Sequence, residues 1–236
     1  MLEIRNLTAA YGSVEALRNL SFTVSEGQTV ALLGRNGAGK TTTLRAISRL
    51  MHPKQGEILF DGTRIDRWRP EAVARAGIAH VPEGRELFGG LSVMDNIVTG
   101  AYFRRLRRKS LAEEVERVLE FFPVLRPFLD EPAGTLSGGQ RQMLALARGL
   151  VGRPRLLMID EPSLGLSPIA TEQLYESFAT LRKEAEGLTV LLVEQYVALA
   201  LEAVDRAYVL EKGEVVLDGD AHELHDHPEV IAAYVG

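Results

Sequence analysis

At 236 residues, 46% hydrophobic and 25% charged, the chain has the make-up of a globular protein with a sizeable core rather than of a disordered or fibrous one. A net charge of −5 argues against a broad basic face that wraps nucleic acid, and the lack of cysteine excludes disulfides, thiolate metal sites and cysteine nucleophiles. No apolar stretch approaches the roughly 20 residues of a membrane span, and Met1 to Asn6 reads as an immediate β-strand rather than a secretory leader; a cytoplasmic location is expected, with membrane association through a partner.

In chain order, two short β-rich runs, Leu2 to Asn6 and Leu20 to Val24, flank Tyr11 and a turn at Gly12-Ser13. The apolar run Gln28 to Leu33 then enters Gly34-Arg35-Asn36-Gly37-Ala38-Gly39-Lys40-Thr41, which fits G-x-x-x-x-G-K-[ST] between a strand and a helix. The glycines allow tight turning and close approach of backbone N–H groups to an anion at the positive end of the helix that opens near Lys40. Lys40 then reaches the β- and γ-phosphates of a nucleotide, and the Thr41 hydroxyl is placed to ligate Mg²⁺.

Glu57 to Gly62 reads as a strand entering a turn, and Gly77 to Val81 as a core strand stopped by Pro82. From about Leu91 to Val151 the period turns helical. Leu111, Val115, Val118, Leu119 and Phe122 share one face, with glutamates and Arg117 on the other, and a second helix runs from about Gly138 to Val151. The run Arg104, Arg105, Arg107, Arg108, Lys109 is expected to be a solvated helix end or turn rather than a phosphate or lipid contact. Strand Arg155 to Asp160, helix Ile169 to Glu186, strand Leu188 to Val193 and a hairpin through Gly213 complete the chain. This order describes one domain over 1–236: an α/β core, about 1–88 and 152–236, with an inserted all-helical lobe, about 89–151.

Arg155-Leu-Leu-Met-Ile-Asp160-Glu161 is four apolar residues ending in two acids, the way a buried parallel strand delivers carboxylates to the carboxyl edge of a sheet. Asp160 is expected to hold Mg²⁺ through water, and Glu161 to act as general base on an attacking water, an effect typically worth about 10²–10⁴-fold. Leu136-Ser137-Gly138-Gly139-Gln140 opens a helix with a hydroxyl and N–H groups, a second anion site. Two chains head to tail would bring each phosphate loop against the other's Ser137.

On these three motifs the chain resembles, over nearly its whole length, the ATP-binding subunits of ABC transporters. The resemblance implies a P-loop NTPase (RecA-like) core with an N-terminal antiparallel β subdomain and the helical lobe. Tyr11 matches the residue that stacks on adenine, Gly34 to Thr42 the phosphate loop, Leu136 to Gln140 the signature sequence, and Asp160 with Glu161 the Mg²⁺ and catalytic acids. It further implies ATP and Mg²⁺ as ligands and a dimer, homo- or heteromeric, that encloses two ATP molecules. The implied partners are two integral-membrane permease subunits, contacted through the segment from Glu83 to about Tyr102, and indirectly a solute-binding protein; nucleic acid is not among them.

Three positions depart from the commonest family pattern. Glu83, in Val81-Pro82-Glu83-Gly84-Arg85, stands where glutamine is usual and offers a charged acceptor to Mg²⁺ or water. Gln195, after Val193-Glu194, stands where histidine is usual; its amide can donate to a phosphate oxygen but does not titrate. Ser167 stands where aspartate is common at the dimer seam. This trio is similar to the LivF-type ATPases of branched-chain amino-acid importers. An amide or urea importer of the same family, or a soluble ABC ATPase acting on nucleic acid, remains an alternative.

Overall fold

A computed structural model describes residues 1–104, 107–185, 187–225, 227 and 230. The chain begins with a hairpin, β1 (Leu2–Tyr11) and β2 (Val14–Val24), turned at Gly12 with φ 59°, the left-handed backbone that a two-residue hairpin loop demands. The first strand runs well past the expected Asn6, and the second starts well before the expected Leu20. Register shifts between Ile4 and Ala10, and Asn6 and Asn19 at positive φ, interrupt the alternation from which strand length is read, without ending the pairing. Tyr11 therefore sits at a strand end.

Next come β3 (Thr29–Leu33), α1 (Lys40–Ile47), β4 (Gln55–Phe60), β5 (Thr63–Arg64), α2 (Pro70–Arg75) and β6 (Ile78–Val81). Three helices follow, α3 (Val93–Thr99), α4 (Arg108–Phe121) and α5 (Gly138–Leu150), joined by 3₁₀ turns. The last part is β7 (Leu156–Asp160), α6 (Pro168–Glu184), β8 (Thr189–Glu194), α7 (Val197–Ala203), β9 (Arg206–Glu211), β10 (Glu214–Asp220) and α8 (Ala221–His225). Glu186, the expected end of α6, and Arg105 of the basic run lie outside the described residues.

The strands form an antiparallel sheet ordered β2-β1-β4-β5 and a six-stranded sheet ordered β10-β9-β3-β8-β7-β6, parallel except for the β9–β10 hairpin. Central strands of the larger sheet are apolar on both faces because both are covered. Val30 and Leu32 of β3, Leu156 and Met158 of β7, and Leu191 and Val193 of β8 join the cluster built with the antiparallel sheet and α1. The intervening Ala31, Leu33, Leu157, Ile159, Val190 and Leu192 join a second cluster with α3 to α7. The expected core strand Gly77–Val81 is instead the sheet's edge, β6. Its apolar pattern misleads because α2 and α5 pack on it, and Pro82 offers no N–H to extend the ladder.

Of the expected apolar face, Val115, Val118 and Leu119 of α4 and Phe122 just after it are buried and Leu111 is half-buried, but the polar face is not all solvated. Glu114 is buried beneath Arg104, Arg117 and Arg153, at 3.1, 3.0 and 2.7 Å. Arg104 thus leaves the basic run for this cluster, while Arg107, Arg108 and Lys109 are exposed as expected.

Candidate functional site

Because β3, β8, β7 and β6 are parallel neighbours, Leu33, Glu194, Asp160 and Val81 end at one edge of the sheet, with Leu33 paired to Glu194 and Asp160 to Val193. Three sequence-distant segments, 34–41, 160–161 and 194–195, are thereby brought side by side.

The loop after β3 is packed too tightly for side chains. A Cβ on Gly39, the residue before α1, would lie 2.8 Å from the Ala16 carbonyl oxygen, and one on Gly34 2.5 Å from that of Leu210. Gly39 also takes φ 107°, and no side chain caps α1, whose first-turn N–H groups face the loop. Lys40 is 4% exposed and folds back over the loop. Its Nζ donates to the Gly34 carbonyl at 2.8 Å and lies 3.0 Å from Glu161 Oε1.

Thr41 Oγ1 donates to Asp160 Oδ1 at 3.1 Å. Burial pushes the Asp160 carboxyl up to about 6; the Thr41 bond and Lys40 oppose this, while Glu161 and Glu83 add to it. Glu161 is buried and adopts φ 45°, a left-handed backbone uncommon outside glycine, fixed by its N–H donating to the Val193 carbonyl at 2.9 Å. Tyr11, half exposed, joins Asn36, Gly37, Lys40, Thr41, Glu83 and Glu161 around a cleft of about 440 Å³. Its hydroxyl accepts from Arg45 at 3.4 Å. An adjoining cleft shares Thr41 and Glu83 and adds Asp160 and His80.

The remaining expected residues are not on these clefts. Ser137 caps α5: its Oγ accepts from the Gln140 N–H at 3.2 Å, while Gln140 Oε1 accepts the Ser137 N–H at 2.9 Å. The Gln140 carbonyl is thus committed within its own turn. Gly139 lies against α6, where a Cβ would come 2.9 Å from that of Ala170. Ser137 to Gln140 line neither cleft. Gln195, half buried at the end of β8, also lines neither; its N–H donates to Glu194 Oε2 at 3.1 Å. Ser167 caps α6, its Oγ accepting from the Ala170 N–H.

Sequence reasoning missed several groups. Arg148 of α5 donates to the carbonyls of Arg85 and Glu86, both at 2.7 Å, while Arg85 donates to Gln142 at 2.7 Å, so α5 grips the segment after Glu83. His80 is largely buried, its Nδ1 3.2 Å from Ser48 Oγ; burial, with Arg45 adding, pushes it down to about 4, so it stays neutral near pH 7. Glu194, buried at a strand end beside the site, carried one signal: a charged residue closing an otherwise apolar run.

Compared with known proteins, residues 17–164 match the family model described as ABC transporter. The sequence is 40% identical over 236 residues, all of both chains, to the high-affinity branched-chain amino acid transport ATP-binding protein BraG of Pseudomonas aeruginosa. It is 37% identical over 227 residues to the probable branched-chain amino acid transport ATP-binding protein LivF of Archaeoglobus fulgidus, covering 96% of this chain and 95% of that one. Among solved structures, the dimeric structure of MJ0796, a bacterial ABC transporter cassette, is similar with a TM-score of 0.84 at 25% identity, over 94% of this chain and 99% of the other.

Proposed function

Because the chain belongs to the ABC transporter family, whose ATP-binding subunits couple ATP hydrolysis to transport, we propose that it energises an importer of branched-chain amino acids. The observation that carries the chemistry is the convergence of Lys40 on Glu161 and of Thr41 on Asp160 at one sheet edge. The naming of both BraG and LivF for branched-chain amino acid transport supports the solute class.

In this reading Gly34 to Thr42, with Arg35, Asn36 and Ala38 inside the loop, hold the phosphates, and the Tyr11 ring stacks on adenine, worth about 1–3 kcal/mol by analogy with base stacking. Lys40 exchanges its loop carbonyls and Glu161 for phosphate oxygens. That exchange releases the Glu161 carboxylate to accept a proton from the attacking water. Gln195 donates its amide to the γ-phosphate.

An all-oxygen set of Thr41, Asp160 and Glu83 suits Mg²⁺, which when bound supplies neutralisation of phosphate charge. Mg²⁺ commonly takes one or two carboxylates from the protein and completes its shell from phosphate and water, a demand that Asp160 and Glu83 with the Thr41 hydroxyl can meet.

Ser137, Gly138, Gly139 and Gln140 act on the nucleotide of a second ATPase subunit, a role supported by their position off their own cleft and by the dimeric form of the MJ0796 cassette. Two permease subunits receive the motion through the segment from Glu83 to about Tyr102, gripped by α5, and a solute-binding protein acts upstream of them. In this reading those permeases hold the chain at the cytoplasmic face of the membrane; no described helix is long and apolar enough to cross it.

The test is pull-down from membranes through this chain, followed by measurement of which solute the co-purified receptor binds. Recovery of permeases with a receptor for leucine, isoleucine or valine is the expected result. A receptor selective for amides or urea overturns the solute class, and co-purification with nucleic acid in place of permeases overturns the transport reading.

A further inference from the structure

Glu194 is a buried carboxyl with no place in the reaction just described, yet its side-chain hydrogen-bond partners among the described residues lie on segments that matter to it. Oε1 accepts the Ser163 N–H at 3.2 Å and the Tyr175 hydroxyl at 3.2 Å, while Oε2 accepts the Gln195 N–H at 3.1 Å. Ser163 lies two residues beyond Glu161, in the loop that ends at Ser167; Tyr175 is on α6, which that loop leads into. Within the loop, Leu166 N–H donates back to the Ser163 carbonyl at 3.1 Å, so it is one folded unit. Burial raises the carboxyl above its ordinary range, opposed by the bonds from Ser163, Gln195 and Tyr175. Keeping an acid there is costly, and three donors converging on two oxygens give it a specific geometry.

We infer that Glu194 is a positioning residue: it clamps the backbone of Gln195 to the Glu161–Ser167 loop and to α6, so that the loop and the Gln195 amide keep one relative placement. The inference rests on the reading of Gln195 as the γ-phosphate contact. An amide at 194 has only one acceptor oxygen for two backbone N–H groups that now bond to separate oxygens, Ser163 to Oε1 and Gln195 to Oε2. Glu194→Gln therefore breaks one arm of the clamp at constant size.

The experiment measures steady-state ATP hydrolysis by the complex isolated from membranes, carrying Glu194→Gln, Tyr175→Phe, Gln195→Ala or each of the first two combined with the third. The expected result is a kcat lowered about ten- to hundredfold by Glu194→Gln, the scale of a misplaced contact, with KM for ATP within about twofold because the phosphate loop is untouched. Tyr175→Phe lowers kcat about two- to fivefold in the same manner, having lost one donor. In the Gln195→Ala background both losses shrink to under about twofold, because the group they position is gone.

Losses that multiply unchanged onto Gln195→Ala overturn the clamp while leaving Gln195 in its role. A turnover unmoved by Gln195→Ala overturns the reading of Gln195, and the clamp with it. If Glu194→Gln yields no folded complex, Tyr175→Phe decides alone: an unchanged kcat, or a KM raised as much as kcat falls, overturns the inference.

Discussion

Two buried glutamates in this chain are held by cations in opposite ways. Glu161 meets one, Lys40, and both are dry, 9% and 4% exposed at the side chain; Glu161 has a left-handed backbone just past the end of a strand, and the pair lies beside a cleft. Glu114 meets three arginines whose outer parts reach water, up to 59% exposed for Arg153, and lies between packed helices. A dry pair gains little net stability, since desolvation offsets attraction, and what it offers is a charge ready to act in a low dielectric. The wetter cluster keeps its arginines solvated and uses the acid to join α4 to the ends of the elements around it. In the function proposed above, burial of charge serves chemistry in the first region; in the second it serves cohesion.

The largest expected effect would break the first region alone. Glu161→Gln should cut turnover by about 10²–10⁴-fold while nucleotide binding persists, read as phosphate release against fluorescent-nucleotide titration. Hydrolysis at the wild-type rate would remove Glu161 from the role of base.

On the helical side, Gly100→Ala tests packing directly, because a Cβ there would fall 1.8 Å from the Arg148 carbonyl oxygen. A loss of about 1–3 kcal/mol is expected, seen as a lower midpoint in urea, with Arg148's grip on Arg85 and Glu86 loosened as well. An unaltered midpoint would mean that the α3–α5 contact relaxes freely.

Glu114→Gln should cost about 1–2 kcal/mol, less than a fully dry pair because the freed arginines rehydrate, and should leave kcat per folded molecule unchanged. A fall in kcat would erase the distinction between the two glutamates.

The smallest effect is in acid. Burial works against ionisation of Glu114, but the bonds from Arg153, Arg117 and Arg104 hold its carboxyl below the ordinary 4.5. A depressed acid adds stability above its unfolded value and loses it as pH falls through the folded one, so the gap between wild type and Glu114→Gln in urea should narrow from pH 7 to about pH 3. A gap constant across that window would show that the arginines act through packing alone.

Much of the candidate site was legible because the residues that build it are local. Eight consecutive residues from Gly34 to Thr41 contain the turn, the lysine and the hydroxyl, and Asp160-Glu161 announce themselves as acids closing an apolar run. Strand and helix identities followed from period for the same reason. Short helices such as α2 and α7, with barely two turns each, left no period to read.

What the sequence alone determined about this protein is therefore the glycine-rich turn before α1, the paired acids, the capped helix start at Ser137 and the alternation of strands and helices, each encoded within a few neighbouring residues. Tertiary structure decided the rest: β6 at the sheet's edge, Arg148 on carbonyls 62 and 63 residues away, Glu114 under Arg153, and Glu194 between Ser163 and Gln195. The physical reason is that periodicity tells which face a residue takes but not which distant backbone will lie opposite it. The partner of a buried charge exists only once the sheet order has closed.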